Sequence, residues 1–360
     1  MMIDTEMLAA AAFTLPKTMV QFARDRAAGH AVNAIEDLGV ERLLIVGTSN
    51  AELRHEDVWQ SLAPITAGRF FGAKAHCPVD VVEACRHEYE ANDCDAVAVI
   101  GGGSTIGLGK ILAAEQGAKF VALPTTYSGS EMTAIFGRKD RGQKKTAVDD
   151  ACRPDIVIYD GALSAGLPRQ ATITSVMNSI AHAAEALYPS VANPIAATLA
   201  EECLRILKRG LADLLSGQNE ISARTQLLYG GCLGGLVIGM SGIALHHRLC
   251  HVIGGLYDLP HRESNSAVLP QALAYNRKYI EQADKVISKI FEGDNAGQAV
   301  FDFADRLDAP LSLRDIGMPP DGVDQVVASM LSHEGYNPRP LEKDPLRHVV
   351  QNAFDGTRPD

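Results

Sequence analysis

Between residues 20 and 158, short apolar runs at 42–47, 65–73, 96–100, 120–123 and 156–159 alternate with amphipathic stretches. Runs of strand length separated by helix-length segments predict βαβ units and a mainly parallel sheet. After Pro168 the rhythm changes. Segments 170–187, 194–215, 220–239 and 298–307 have helical length, and almost nothing there reads as a strand. An α/β half is therefore followed by an all-α half. Turn residues and prolines crowd PDIVIYDGALSAGLP at 154–168, which sets the boundary between a domain of residues 1–160 and one of residues 161–360. The final stretch from Gly335, with NPRP and a terminal GTRPD, predicts partly irregular chain that frays.

At 360 residues the chain is long enough for two cores, and two domains provide a cleft. A net charge of −11 argues against nucleic acid and anionic membranes as partners, since both attract clustered Lys and Arg. A small molecule fits better. The seven cysteines are odd in number and widely spaced, without a Cys-x-x-Cys pair, and read as reduced thiols of a cytoplasmic protein. The apolar run of MMIDTEMLAAAAF follows Asp4 and Glu6 where a secretion signal carries positive charge. Residues 225–245 lack any charge and are long enough to cross a bilayer. Their six glycines favour a buried helix on which neighbours pack closely.

The segment DAVAVIGGGSTIGLGKILAA at 95–114 reads as a strand, a glycine turn and a helix. Such a turn presents backbone N–H groups at a helix N-terminus, where a phosphate is favoured. Gly101, Gly102 and Gly103 admit a pyrophosphate to the backbone, and Ser104 is placed to cap the helix or touch phosphate. The spacing is neither a Walker A loop nor G-x-G-x-x-G, because Ile111 follows Lys110 and Ile106 stands where the last glycine belongs. A second loop, ALPTTYSGSEMT at 122–133, offers the hydroxyls of Thr125, Thr126 and Ser128 to a nucleotide.

In SVMNSIAHAAEALY, Asn178 and His182 lie four apart and share a helical face. LHHRLCHVIGGLYDLPHRES carries His246, His247, His251 and His261, four of the chain's eleven histidines within sixteen residues. Imidazole serves as metal ligand, general acid or hydrogen-bond donor.

Taken together, GGGST (101–105), LPTTYSGSE (123–131), NSIAHAAEALY (178–188), LHHRLCHVIGG (245–255), LPH (259–261) and NPRP (337–340) resemble the iron-containing alcohol dehydrogenase family, and within it the maleylacetate reductases. The resemblance implies a Rossmann-like NAD(P)-binding domain before a helical domain, as in dehydroquinate synthase, and a homodimer. It implies NADH- or NADPH-dependent reduction of the conjugated double bond of maleylacetate, a dicarboxylate, to 3-oxoadipate in the breakdown of aromatic compounds. A metal-dependent alcohol or polyol dehydrogenase and a dehydroquinate synthase-like lyase stay open as alternatives.

Metal-dependent members hold iron or zinc through an Asp and three His, and the matching positions are Asn178, His182, His247 and His261. Asn at 178 removes the carboxylate charge, so no metal is expected, although three imidazoles suffice for zinc. Many NAD-preferring relatives carry an Asp after the first strand, where LLIVGTSN offers Thr48; losing that charge favours accepting NADPH. Lys144 or Lys145 matches a family lysine near the nucleotide. For maleylacetate, the expectation is charge stabilisation and proton delivery by His247 and His251, with Asn178, His182 and His261 orienting substrate. Arg248 and Arg339 are candidates for its carboxylates.

Overall fold

The computed structural model describes residues 16–140, 143–217 and 219–360; the side chains of residues 140, 143–145 and 261 lie outside the description. The sequence reading of MMIDTEMLAAAAF also falls outside the described residues. Two compact units are distinguished. One holds residues 16–167 together with Ala212–Gly235, and the other holds Pro168–Leu211 and Leu236–Asp360.

The first unit is built on a six-stranded parallel sheet of order β1-β8-β5-β4-β2-β3. Its strands are β1 (Met19–Phe22), β2 (Leu43–Val46), β3 (Thr66–Phe70), β4 (Ala96–Gly101), β5 (Lys119–Pro124) and β8 (Ile156–Tyr159). Every residue of β2, β4 and β8 is buried, which explains their uninterrupted apolar runs: a parallel sheet is covered on both faces. The register sets Val46 beside Val99, Gly101 beside Pro124 and Val121 beside Ile156. From β2 the chain moves outward to β3, then returns to β4 and runs the other way to β5 and β8. The order therefore reverses between β2 and β4, the place where open α/β sheets bind ligands beyond the carboxyl ends of their strands.

Periodicity did not reveal three strands. β1 is a short, largely exposed edge strand, and β6 (Ile135–Asp140) pairs antiparallel with β7 (Gln143–Val148) in a polar hairpin. Helices α1 (Ala27–Asp37), α2 (Ser49–Arg54), α3 (Glu56–Ser61), α4 (Val79–Ala91) and α5 (Gly103–Gln116) complete this part of the chain.

The helical half is not all one body. Helix α8 (Glu220–Ser241) contributes the part up to Gly235 to the sheet-bearing unit, which corrects a simple division at residue 160. Its glycines explain the uncharged stretch. A Cβ at Gly129, which has φ 68°, would lie 2.1 Å from the Gly231 carbonyl oxygen, and one at Gly235 would lie 1.9 Å from that of Gly129. Backbone thus touches backbone where the loop after β5 meets α8, a contact any side chain prevents. Arg224 on the same helix donates from Nη1 to the Tyr127 hydroxyl at 2.9 Å. Among the described residues no single helix is long and apolar enough to cross a membrane.

In the second unit, α6 (Arg169–Ala186), α9 (Leu245–Tyr257), α12 (Ala296–Asp305) and α14 (Lys343–Asp355) all pack on α10 (His261–Asn276). Helices α7 (Pro194–Leu215), α11 (Glu281–Phe291) and α13 (Gly322–Ser332) complete the helical inventory. Leu249, Ile253, Val268, Val326, Leu346 and Val350 form part of its core. The expected fraying of the last residues is corrected here. Helix α14 ends on Gly356 in the left-handed region at φ 70°, and Gln271 donates to the Thr357 carbonyl at 2.6 Å. Arg358 adds a two-pronged pair with Asp302 at 2.6 and 2.8 Å.

Candidate active site

Each unit contributes its own set of functional groups. In the sheet-bearing unit a pocket of about 520 Å³ lies among Thr48, Asn50, Arg54, Gly101, Gly102 and Thr125, with apolar Leu163 and Leu167. Those polar residues follow the carboxyl ends of β2, β4 and β5, as the strand order requires. Thr48 caps α2, its Oγ1 accepting from the Ala51 N–H at 3.2 Å. Gly101 has no room for a side chain, since a Cβ would meet Thr105 Oγ1 at 2.4 Å, whereas the space beside Gly103 is open for 4 Å. Gly102, not Ser104, is the N-cap of α5, which corrects the capping role expected of that serine. Ser104 instead occupies the first turn, where its carbonyl accepts from Cys77 Sγ at 3.4 Å. Thr125 is half-buried at the pocket, while Thr126 is buried and Ser128 half-buried in the loop beyond it. Lys144 lies on β7, and its side chain is outside the described residues.

In the same unit Lys110 is fully buried, donating from Nζ to Thr133 Oγ1 and to the Ile135 carbonyl, each at 2.8 Å. Burial pushes its ammonium down to about 8. Glu131, buried nearby, accepts from the Tyr159 hydroxyl at 2.7 Å, and burial pushes its carboxyl up. Both face the interior and are absent from the pocket's lining, so they read as framework of the loops.

The histidines of the helical unit converge through one residue missed in the sequence reading. Glu185, buried on α6 and three positions after His182, accepts from the His246 N–H at 2.7 Å, the Ala244 N–H at 2.9 Å and His247 Nδ1 at 2.7 Å. The first two are unpaired donors at the start of α9, so the carboxylate holds that helix end and also orients the ring. With Nδ1 engaged, the His247 tautomer is set and Nε2 is left as the reactive nitrogen. That atom is buried and has no hydrogen-bond partner among the described residues. His182 stacks on His247 with centroids 4.9 Å apart, and its Nε2 lies 3.4 Å from Asn178 Nδ2. Asn265 Nδ2 donates to Asn178 Oδ1 at 2.6 Å, which fixes the amide. The signal for Glu185 was present in NSIAHAAEALY, where a carboxylate shares the histidine's face at helical spacing.

Of the other expected partners, the two arginines are engaged elsewhere. His251 is exposed on α9, and the side chain of His261, first residue of α10, is outside the described residues. Arg248 spends its guanidinium on the carbonyls of Gly335 and His333, at 2.9 and 2.8 Å. Arg339 lies over the Tyr275 ring at 4.0 Å and donates to the Tyr275 carbonyl at 3.1 Å. Both arginines therefore tie down the chain around NPRP.

Residues 18–161 match the family model for iron-containing alcohol dehydrogenase, and residues 172–354 match that for the C-terminal part of the Fe-containing alcohol dehydrogenase family. The maleylacetate reductase of Burkholderia cepacia is 40% identical over 330 residues, covering 92% of this chain and 94% of that protein. The crystal structure of maleylacetate reductase from Agrobacterium tumefaciens superposes with a TM-score of 0.91 at 38% identity, covering 97% of this chain and 99% of that one. That of Rhizobium sp. strain MTP-10005 gives 0.89 at 37% identity, with coverage of 97% and 99%.

The expectation that no metal takes part is corrected by these matches, since the family is described as iron-containing. Among the described residues no group of three or more His, Cys, Asp or Glu gathers to hold an ion. What does come together is the stacked pair of His182 and His247 rings, with Asn178 Nδ2 facing His182 while the Asn178 oxygen accepts from Asn265. Two imidazoles suit iron or zinc, and a carboxylate on the far nitrogen of His247 is how metal-binding histidines are ordinarily oriented.

Proposed function

This chain belongs to the iron-containing alcohol dehydrogenase family, and we infer from its relatives and its two sites that it reduces maleylacetate to 3-oxoadipate with NADH or NADPH. The observation that carries the reading is the Glu185–His247 pair with its open Nε2. Maleylacetate has a ketone conjugated to a carbon–carbon double bond. The bound dinucleotide supplies the hydride, which adds to the alkene carbon farther from the ketone; negative charge then moves to the ketone oxygen. A proton on the carbon beside the ketone completes 3-oxoadipate.

In this reading the amides of Gly101–Gly103 and the hydroxyls of Thr48 and Thr125 bind the dinucleotide, with Thr126, Ser128, Ser104 and Lys144 around them. In its doubly protonated form, with Nδ1–H on Glu185, His247 donates Nε2–H to the developing oxyanion and delivers that proton. Asn178 and His182 set the orientation of substrate beside it, with His251 and His261 in supporting positions. Were a divalent metal bound there instead, the two imidazoles of His247 and His182 would hold it, and it would polarise the ketone as a Lewis acid. We read the protein as a cytoplasmic homodimer, supported by its family, its negative charge and seven buried free thiols.

The deciding assay follows NADPH and NADH oxidation with maleylacetate, with metal content measured on the same preparation. Turnover on maleylacetate supports the reading. Oxidation of simple alcohols with none on maleylacetate replaces it with the metal-dependent alcohol dehydrogenase alternative.

A further inference from the structure

The dinucleotide pocket has a cationic corner that phosphate binding at the glycine turn does not use. Thr48, Asn50, Arg54 and His55 follow β2, the strand beside β4 at the reversal of the sheet order. That is where a dinucleotide's adenosine ribose is read in doubly wound folds, and a carboxylate there selects against a 2′-phosphate. None of the residues lining this pocket is Asp or Glu. Glu52, Glu56 and Asp57 lie on the same two short helices but do not line it.

Arg54 is held in place. Its Nη1 donates to the Gly166 carbonyl at 2.9 Å, which ties the end of α2 to the turn after β8. Gly166 makes that approach possible, because a Cβ there would lie 2.7 Å from Nη1. A guanidinium has five N–H donors in a planar fork, so one anchored donor leaves the rest of the fork for an anion. Among the described residues no carboxylate forms an ion pair with it. Burial pushes the His55 imidazole down, against the attraction of Asp57, so the permanent charge of the corner is that of Arg54. Ala162, Leu163, Ala165 and Leu167 form an apolar wall suited to an adenine ring.

We propose that Arg54, with Asn50 and His55 beside it, forms a subsite for the 2′-phosphate of NADPH, so that this chain prefers the phosphorylated dinucleotide. The proposal rests on the dinucleotide reading of the pocket and adds which dinucleotide it takes.

The test measures kcat/KM for NADPH and NADH with maleylacetate in wild type, Arg54→Gln and Arg54→Lys. In parallel, Kd is measured for 2′-phospho-ADP-ribose and ADP-ribose. The wild type favours the phosphorylated member of each pair. Arg54→Gln lowers both selectivity ratios by about 10- to 100-fold, the weight of a charge-assisted phosphate contact, and Arg54→Lys retains part of the preference as a point charge. A wild type that favours NADH, or ratios unmoved in Arg54→Gln, overturns the subsite. If maleylacetate is not reduced while the Kd ratio still depends on Arg54, the subsite stands and the reductase reading falls. If maleylacetate is reduced while the ratios stay unmoved, the reductase reading stands and the subsite falls.

Discussion

Glu185→Gln isolates the carboxylate that joins the start of α9 to His247. The glutamine keeps the volume but presents an amide NH2 where one oxygen stood. Three buried donors now share the two oxygens of Glu185. With one acceptor atom lost, at least one donor faces another donor, at a cost of about 1–3 kcal/mol for the unsatisfied group. At about 2–4 °C per kcal/mol for a unit of this size, the melting temperature falls by about 2–12 °C. Where the NH2 takes the place of Oε2, which serves both Ala244 and His247, the His247 ring relieves the clash by accepting at Nδ1 and carrying its proton on Nε2. The ring then loses the carboxylate that stabilises its doubly protonated form, so Nε2–H is a weaker donor to the oxyanion. The loss of turnover is then about 10- to 100-fold, the usual effect of removing a partner behind a functional histidine. The assay pairs thermal melting with kcat and with nucleotide Kd, since the dinucleotide pocket draws on none of these residues. Wild-type melting and kcat in Glu185→Gln refute the role assigned to the carboxylate. A lower melting temperature with wild-type kcat leaves Glu185 only its part in holding the helix end.

Two further outcomes test other parts of the reasoning. His247→Ala lowers kcat by about 100- to 10,000-fold with much less effect on nucleotide Kd, measured by steady-state kinetics and fluorescence titration; equal losses remove His247 from the chemistry. Lys110 gives a pH signature: the unfolded ammonium keeps its proton to about 10.5, while the buried one releases it at about 8. Between those values the unfolded chain binds more protons, so stability rises with pH as the charged-burial penalty is relieved, by up to about 3 kcal/mol. Urea unfolding at pH 8 and pH 10 shows this rise relative to Lys110→Met, and parallel behaviour of the two proteins refutes it.

The alternating pattern and the two loops were legible because their causes are local. A buried parallel strand shows as a continuous apolar run, and the turn from Gly101 to Gly103 lies between a strand and a helix that each announce themselves. The helical spacing of Asn178 and His182 likewise placed them on one face, and the structure sets their side chains 3.4 Å apart. The tail from Gly335 misled for the same reason. Its prolines describe the neighbourhood of residues 337–340 and say nothing of the bonds from Gln271 to Thr357 and from Arg358 to Asp302 that hold the final residues.

Sequence by itself determined most of the elements, the family and the residue types available for chemistry, because propensity, periodicity and motif spacing act over a few turns of chain. Tertiary structure decided how those residues are used. Arg248 and Arg339 have the chemistry to bind a dicarboxylate, yet their hydrogen bonds go to carbonyls 64 or more positions away. Residues 212–235 read as part of the helical half, yet glycine-to-glycine backbone contact brings them to the loop after β5. Glu185 looked like one more helical carboxylate until α9, about 60 positions on, brought it three donors. A buried polar group is defined by the partners that satisfy it, and those partners come from distant stretches of chain that only the fold brings together.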